Sequence, residues 1–322
     1  VLRSTLQQRA LAVTTKALDE ALGSVLAADI LAPLDLPPFD NSAMDGYAFA
    51  AVDLPASGPY QLPLDGRTLA GDSADFLLPG HARRITTGAP IPIGADCVIV
   101  QERVQLEEHA ISFDQLPRAG ANIRRQGEDL QRDSLVLEQG TRLGPLQIGL
   151  LAALGMPTVQ VHRIPKVAVI STGDELIEPG AQRRGGQIYD SNRFLLLSLL
   201  DRLGADVVMA STCGDSRERL LRALESACSV ADLVITSGGV SVGDADLLPE
   251  LVASIGSIHF HKVNLKPGRP VLYGELAGTP LFGLPGNPVS VLVTCLKLVK
   301  PALDLLAGAR VRMPLQMAAQ LE

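Results

Sequence analysis

Four segments in the second half of the chain combine glycine, hydroxyl and carboxylate residues directly after an apolar run. They are TGDE (172–175), CGD (213–215), SGGVSVGDAD (237–246) and PGNP (285–288). Glycines allow backbone N–H groups to approach an oxyanion closely, and the N-terminus of a following helix adds a favourable potential. If the apolar runs are parallel strands, all four segments lie at the sheet edge where open α/β sheets bind ligands. Together they predict an anion-binding site, although each one alone is typical of an ordinary turn.

Carboxylates in the same segments would repel a phosphate bound there. The acidic residues are Asp174, Glu175, Asp215, Asp244 and Asp246. Mg²⁺ is typically held by one or two carboxylates together with substrate phosphates, so a bound magnesium ion would remove this repulsion. The acids therefore predict a metal-assisted phosphate site.

Positive charge for an anionic ligand is concentrated in HKVNLKPGRP (261–270), where Lys262, Lys266 and Arg269 surround the turn at Pro267 and Gly268. The net charge of the chain is −7, so an anion must be met by a local basic cluster. We expect these three side chains to contact an anion.

A serine hydrolase is the weaker alternative for the same loop. Gly239–Gly243 matches the G-x-S-x-G nucleophile elbow, with Ser241 as the nucleophile. However, the downstream histidines, His259 and His261, lie inside a predicted strand, and no HGGG-type oxyanion segment precedes the elbow. These histidines share one strand face, but no third metal ligand lies at a helpful spacing. A phosphate-binding role for Ser241 is therefore favoured.

Composition narrows the class of protein. The 322 residues are 47% hydrophobic and acidic overall, which favours a globular chain with more than one core and argues against general nucleic-acid binding. No apolar run reaches the roughly 20 residues of a membrane span, and no secretory signal is visible. The four cysteines are far apart, which favours reduced thiols in a cytoplasmic protein.

Alternating strand and helix patterns over residues 165–308 predict a doubly wound α/β domain with a mostly parallel sheet. Short apolar segments broken by Gly and Pro predict a β-rich lobe over residues 40–139. Amphipathic stretches at 15–30 and 145–155 predict helices in a stalk formed by residues 1–39 and 140–164. Residues 309–322 follow the predicted α/β domain and belong to none of these three parts.

Several longer motifs resemble those of one known family, the MoeA family of molybdopterin molybdenumtransferases, which includes the E domain of gephyrin. In order along residues 18–306 they are FDNSAMDGYAF, TTGAPIPIGADCVIVQE, NIRRQGEDL, STGDE, GQIYDSN, SGGVSVGDAD, KPGRP and GLPGNPVS. A single motif of this kind is weak, but their ordered succession is highly specific.

The resemblance implies an enzyme of molybdenum cofactor biosynthesis. Its substrates would be molybdate and adenylylated molybdopterin, and AMP would be released in a Mg²⁺-dependent reaction. It also implies a cytoplasmic homodimer with the active site at the subunit interface, and a molybdopterin adenylyltransferase that acts upstream. A non-catalytic molybdopterin-binding or scaffold protein of the same fold stays open as an alternative.

The resemblance also assigns roles to individual residues. The predicted catalytic residues are Asp45, Asp129, Glu175, Asp246, Lys262 and Lys266. The predicted metal ligands are Glu175, Asp215 and Asp246, of which Asp215 matches less closely because the usual pair of acids reads Gly214-Asp215 here. The predicted cofactor-binding residues are Thr87, Gly238, Gly239, Ser241, Gly243, Pro267, Gly268, Arg269, Pro285, Gly286, Asn287 and Ser290.

One part of the family pattern lies beyond the matching motifs. Members normally end in a small β-barrel domain, and residues 309–322 stand where that barrel would start. We therefore expect a chain without its usual C-terminal barrel, and without residues that such a barrel would add to the site.

Overall fold

The computed structural model describes residues 1–240 and 247–311. These residues form two compact units, one of Val1–Ala28 with the described residues from Glu138 onward, and one of Asp29–Leu137. Within the described ranges, no helix combines the length and the apolar character needed to cross a membrane.

The described strands are two to nine residues long. Numbered along the chain, they are β1 (Val13–Ala17), β2 (Val25–Leu26), β3 (Ile30–Leu31), β4 (Asn41–Ser42), β5 (Gly46–Phe49), β6 (Tyr60–Thr68), β7 (Ala82–Ile85), β8 (Cys97–Val100), β9 (Gln105–Leu106), β10 (Ala110–Phe113), β11 (Ile123–Arg124), β12 (Leu135–Leu137), β13 (Thr158–His162), β14 (Lys166–Thr172), β15 (Leu176–Ile177), β16 (Ile188–Tyr189), β17 (Asp206–Cys213), β18 (Leu233–Ser237), β19 (Gly256–His261), β20 (Leu272–Leu276) and β21 (Thr279–Leu284).

Most helices fall in the second half. They are α1 (Leu2–Leu6), α2 (Pro145–Ala153), α3 (Ser191–Arg202), α4 (Arg217–Val230), α5 (Leu247–Ile255), α6 (Pro288–Thr294) and α7 (Lys300–Leu306), and a π-helical turn, Cys295–Val299, joins the last two.

The larger unit is built on a six-stranded sheet in the order β17-β14-β18-β21-β20-β19. The first four strands are parallel, whereas β20 pairs antiparallel with both β21 and β19. Of the two strands added at this edge, β20 therefore runs opposite to the parallel core and β19 runs in the same direction as the core. The predicted doubly wound, mostly parallel sheet is confirmed.

Both faces of this sheet are covered, which is why its central strands are apolar throughout. Along β14, Val167 and Val169 pack in one core with residues of α3, α6 and α7, while Ala168 and Ile170 pack in another with residues of α4 and α5. Successive side chains of a strand point to opposite faces, so an uninterrupted apolar run serves two cores at once. The sheet is therefore rigidly held at its centre, where the loops that follow its strands begin.

The smaller unit is a β-rich lobe, as predicted. Its main sheet has the strand order β8-β5-β7-β6-β10-β9, and the short pairs β11-β4 and β12-β3 lie outside that sheet. Aromatic residues form much of its core, with the ring of Phe113 5.2 Å from that of Phe49 and 5.1 Å from that of Tyr60. Packing of these rings joins β5, β6 and β10 in one apolar core.

The predicted helix over residues 15–30 is wrong. β1 pairs antiparallel with β13, and Val25 and Leu26 pair with His162 and Val161 on the other side of β13. Only the single 3-10 turn Leu18–Glu20 lies between these strands, and Gly23 has a φ of +78°. Backbone N–H and C=O groups of this segment form their hydrogen bonds with β13 instead of within a helix. This long-range pairing overrides the helical spacing of the apolar residues.

The second predicted helix of the stalk is confirmed as α2. Pro145 occupies its first position, and Gly155, with a φ of +71°, follows its last turn. Proline at the start and glycine past the end are the usual signals of helix boundaries. The finer division into a stalk (1–39 and 140–164), a lobe (40–139) and an α/β domain (165–308) stays a prediction.

Candidate active site

A cleft of about 610 Å³ opens at the carboxyl ends of the parallel strands in the larger unit. Residues that follow β14, β17, β18 and β21 all contribute to it, so the predicted meeting of the four segments is confirmed. Its walls are formed by Thr172, Gly173, Glu175, Leu176, Ile188, Tyr189, Asp190, Ser191, Asn192, Asp215, Ser237, Gly238, Gly239, Val240, Pro270, Pro285, Gly286, Asn287, Pro288 and Ser290.

The glycines after β18 are required by a close approach to β14. Gly238 has a φ of +97°, and a Cβ on it would lie 2.7 Å from both the carbonyl oxygen and Oγ1 of Thr172. The Gly238 N–H donates to the carbonyl of Leu284 at 3.0 Å, which ties the loop to β21 as well. Only glycine fits this position. A Cβ atom would collide with the Thr172 backbone, and a residue with a side chain would be strained at this positive φ. The loop is thereby pressed into the floor of the cleft.

Asp190 is a buried carboxylate, 1% exposed, beneath the cleft. Its Oδ1 accepts hydrogen bonds from the Ser171 hydroxyl and the Arg193 backbone N–H, each at 3.1 Å, and its Oδ2 accepts one from the Thr212 hydroxyl at 3.1 Å. Asp190 is also the N-cap of α3. One side chain therefore connects β14, β17 and the start of α3, and it positions the wall that contains Asn192.

The loop after β21 is held by two asparagines. Asn192 Nδ2 donates to the Gly286 carbonyl at 2.7 Å. Asn287 caps α6, since its Oδ1 accepts from the N–H groups of Val289 at 2.9 Å and Ser290 at 3.3 Å. Because Asn287 already satisfies the first N–H groups of α6, Ser290 can offer a ligand its hydroxyl rather than its backbone amide.

Two buried polar atoms on the cleft wall have no hydrogen-bond partner. They are Ser237 Oγ, in a residue 3% exposed, and Asn192 Oδ1. Buried polar groups are nearly always hydrogen-bonded in folded proteins, so these two atoms are suited to contact a polar ligand in the cleft. The cleft is thus built to bind a polar molecule.

Carboxylates line one side of the cleft. Glu175 lies in the loop after β14, and its carboxylate folds over Gly173, where a Cβ would overlap it. Asp215 accepts from the Asp174 N–H at 3.4 Å, while Asp174 accepts from the Asp215 N–H at 3.2 Å, so each acid holds the other's loop. Glu175 and Asp215 both line the cleft, and two carboxylates with room for phosphate and water fit the ligand preference of Mg²⁺. Within the described residues, no group of three or more His, Cys, Asp or Glu side chains could hold a metal ion.

The basic segment 262–269 forms a tight loop between β19 and β20. Lys262 has a φ of +67°, and its N–H donates to the Val271 carbonyl at 2.9 Å. The side chains of Lys262, Lys266 and Arg269 are exposed and have no ion-pair partner among the described residues. A Cβ on Gly268 would meet the Thr294 side chain, so the loop packs closely on α6. From this segment and its flank only Pro270 lines the cleft.

Within the lobe, Asp45 and Thr87 form one polar pair. Asp45 Oδ1 accepts from the Thr87 N–H at 2.7 Å and from its hydroxyl at 3.0 Å. The backbone hydrogen bond, followed by the hydroxyl, lowers the pKa of this exposed carboxyl below its ordinary value. Asp45 is therefore held ionised in one orientation.

Asp129 lies in a loop where carboxylates and arginines alternate. It forms an ion pair with Arg124, and Arg125 pairs with Asp40. The Asp129 N–H donates to the Leu36 carbonyl at 2.9 Å, which anchors the loop to the segment before β4. Asp129 is thus oriented by the lobe itself.

Replacement of Thr87 by Val is expected to raise the pKa of Asp45. The valine removes the hydroxyl donor but keeps the backbone donor, so the pKa should move part of the way back toward 3.8. A pH titration of the Asp45 carboxyl carbon by NMR measures this shift. Thr86→Val is the matched control because the Thr86 hydroxyl accepts from Ala70 rather than binding Asp45. Equal titration curves for the two variants would contradict the assignment.

Three predicted site residues, Ser241, Gly243 and Asp246, lie outside the described residues, as does Asp244. The two histidines considered for a hydrolase or a metal site, His259 and His261, lie among the described residues, and each has a hydrogen-bond partner. His259 Nε2 lies 3.1 Å from Glu275 Oε1, and His261 Nε2 lies 3.1 Å from the Val240 carbonyl oxygen.

Sequence reasoning placed Thr172 and Ser237 at the start of two predicted anion-binding segments without giving them a role, and it gave no site role to Asp190 or Asn192. Asp190 and Asn192 belong to GQIYDSN, a motif recognised only as a whole, and Asp190 reads on its own as a simple helix cap. Thr172 and Ser237 are the last residues of buried strands, where a hydroxyl in an apolar run is the available signal.

Comparison with known proteins assigns both units. The family model for the MoeA N-terminal region (domain I and II) matches residues 2–155, and the model for a probable molybdopterin binding domain matches residues 168–305. The molybdopterin molybdenumtransferase of Haemophilus influenzae is 46% identical over 295 residues, which cover 91% of this chain and 72% of that protein. Molybdopterin molybdenumtransferase 2 of Mycobacterium tuberculosis is 40% identical, over 93% of this chain and 76% of its own length.

The fold agrees with these relatives. The crystal structure of the molybdopterin biosynthesis moeA protein from Pyrococcus horikoshii OT3 superposes with a TM-score of 0.80 at 32% identity, covering 96% of this chain and 79% of that one. Sequence identity and fold together show that this chain belongs to the MoeA family of molybdopterin molybdenumtransferases.

Proposed function

We propose that this chain inserts molybdenum from molybdate into adenylylated molybdopterin and releases AMP in a Mg²⁺-dependent reaction. The observation that carries the proposal is the cleft itself. Tight glycines, buried polar atoms without partners and two carboxylates meet there at the ends of four strands. Such a cleft suits a large polar substrate that carries phosphate.

The chain's own residues would bind and orient that substrate. The Gly239 N–H, with Ser241 and Gly243 in the same segment, would receive a phosphate. Gly238, whose own N–H is bonded to the Leu284 carbonyl, would let the backbone come close to that phosphate. The unpartnered Ser237 Oγ and Asn192 Oδ1 would hydrogen-bond the polar edge of the molecule. Binding at both ends of the substrate would hold its phosphates beside the carboxylates.

Magnesium would be held by Glu175, Asp215 and Asp246. The pair of carboxylates on the cleft wall supports this assignment, since oxygen donors are the ligands that Mg²⁺ prefers. When bound, the ion would polarise the pyrophosphate oxygens and reduce their negative charge. Glu175 and Asp215, without an ion, would oppose binding of the same substrate.

Lys262, Lys266 and Arg269 would hold molybdate and the leaving phosphate by charge. They are exposed, they are unpaired among the described residues, and Gly268 packs their loop on α6, which also contributes to the cleft. Pro267 and Gly268 form the turn between Lys266 and Arg269. Cations presented on a short, packed loop lose little entropy on binding an anion.

We further propose a homodimer with the active site at the subunit interface. Asp45, Thr87 and Asp129 of one subunit would then act on the substrate bound by the other. A molybdopterin adenylyltransferase would supply the adenylylated substrate. The four cysteines are free thiols, which supports a reducing, cytoplasmic location.

AMP release tests the proposal. The purified chain is incubated with adenylylated molybdopterin, with and without molybdate and Mg²⁺, and AMP is measured by chromatography. We expect release to rise at least about tenfold when both ions are present. Ligand binding without any AMP release would indicate a scaffold protein, and covalent labelling of Ser241 by a fluorophosphonate would indicate a serine hydrolase.

A further inference from the structure

We propose that Arg183 and Arg184 form a second anion subsite at the outer edge of the cleft, which binds the phosphate of AMP after its release from the substrate. The inference rests on the proposed function for the identity of the ligand. The structural observations behind it do not depend on that function. They are the charge of the cleft wall and a neighbouring depression that shares Ile188 with the cleft.

The charge of the cleft wall creates the need for such a subsite. Among the described residues that line the cleft there are three acids, Glu175, Asp190 and Asp215, and no lysine or arginine. Asp190 is buried and hydrogen-bonded, so the negative charge that a phosphate meets on the wall is that of Glu175 and Asp215. Favourable potential must come from groups at its edge, and field lines concentrate in a cleft with low-dielectric walls.

The loop between β15 and β16 presents two arginines beside that edge. It is held in shape by its own hydrogen bonds, since the Tyr189 hydroxyl donates to the Ala181 carbonyl at 3.1 Å and the Arg184 N–H donates to Gln187 Oε1 at 3.0 Å. Gly186 has a φ of +81°, which lets the chain turn back toward β16. Neither guanidinium group takes part in these hydrogen bonds, so both arginine side chains stay available.

Both guanidinium groups are uncommitted. Most of the ion pairs in the described ranges use arginine, including the Arg193 pair with Glu178 in the segment that begins this loop. Arg183 and Arg184, in contrast, are exposed and have no carboxylate partner among the described residues. Glu178, the acid nearest to them in sequence, is already neutralised by Arg193.

Ile188 connects the two surfaces. It lines the cleft, and it also lines a depression of about 410 Å³ whose other residues are Arg183, Arg184, Gly185, Gly186 and Gln187. Ile188 is 50% exposed, so one apolar side chain lies between the cleft and the arginines. A ligand with a ring system and a phosphate can cover Ile188 and still reach a guanidinium, which binds phosphate in a bidentate manner.

Binding of AMP tests the subsite. Isothermal titration calorimetry of the whole chain with AMP is compared for the native protein, R183Q/R184Q, R183K/R184K and the control R202Q. Arg202 is an exposed arginine in the last turn of α3, it has no ion-pair partner in the part of the chain that the structure describes, and it does not line the cleft. We expect R183Q/R184Q to raise the Kd for AMP about tenfold and to weaken its salt dependence, because two exposed charge contacts are lost. R183K/R184K should restore most of the affinity, and R202Q should change nothing.

Adenosine separates phosphate recognition from recognition of the base. The Kd for adenosine should be equal in the native protein and in R183Q/R184Q, because adenosine carries no phosphate. An unchanged Kd for AMP in R183Q/R184Q, equal losses for AMP and adenosine, or no AMP binding by the native protein would each overturn the subsite. Molybdate-dependent AMP release tests the proposed function separately. If AMP is released but its Kd does not depend on the two arginines, the subsite is rejected and the function is kept. Arginine-dependent binding without release would reject the function alone.

Discussion

Replacement of Glu175 by Gln is expected to reduce Mg²⁺-dependent AMP release about a hundredfold. The substitution keeps the size of the side chain but removes the charge of one of the two carboxylates that line the cleft and suit magnesium. Loss of a metal ligand that stabilises charge in a transition state costs several kcal/mol, and each factor of ten in rate corresponds to about 1.4 kcal/mol. The rate should recover in part at high Mg²⁺ concentration, since weaker binding of the ion is the cause.

The control for this experiment is Glu218→Gln. Glu218 is an exposed acid at the start of α4 that pairs with Arg222, and it does not line the cleft. Its replacement makes the same chemical change and should leave AMP release unaltered. A Glu175→Gln protein with native activity at limiting Mg²⁺ would remove Glu175 from the metal site.

Replacement of Asp190 by Ala is expected to lower the free energy of unfolding by about 3 kcal/mol. The loss combines the helix cap of α3, worth about 1 kcal/mol, with the cost of leaving two hydroxyls, those of Ser171 and Thr212, without their acceptor. Asp190→Asn should lose less, about 1–2 kcal/mol, because its amide oxygen can still accept from the Arg193 N–H. Since the chain has no tryptophan, urea denaturation is followed by far-UV circular dichroism.

Asp201→Ala provides the comparison on the same helix. Asp201 is exposed near the end of α3, and its side chain makes no hydrogen bond or ion pair among the described contacts. Its replacement should change the free energy of unfolding by less than about 0.5 kcal/mol. If Asp190→Ala were no more destabilising than Asp201→Ala, the buried network at the cleft would have no structural role.

The fold of the larger unit could be predicted from sequence because its signals are local. The run at 166–171 contains apolar residues at consecutive positions, as a strand covered on both faces requires, and the helical spacing of 191–204 is bounded by a cap and a glycine. Alternation of such units then predicts a parallel sheet, and a parallel sheet places its loops at one edge. The sequence therefore predicted that the site lies at the carboxyl ends of the parallel strands.

The segment 15–30 shows where local signals fail. Its spacing of apolar residues suits a helix, but its backbone pairs with β13, more than a hundred residues later in the chain. A strand gains its hydrogen bonds from a partner, and the identity of that partner is not contained in the segment itself. Long-range pairing therefore determined the structure here.

The amino-acid sequence by itself determined the doubly wound sheet, the family and the glycine and acid residues that surround the site. Only the tertiary structure decided which of these groups share one surface. It showed that Gly238 is needed because Thr172 lies against it, and that Asp190 bonds residues of two strands rather than capping a helix alone. It also brought Arg183 and Arg184 beside the cleft through Ile188. The physical reason is that periodicity and turn chemistry act over a few residues, whereas burial, charge balance and unsatisfied hydrogen bonds are properties of side chains that meet only after the chain has folded.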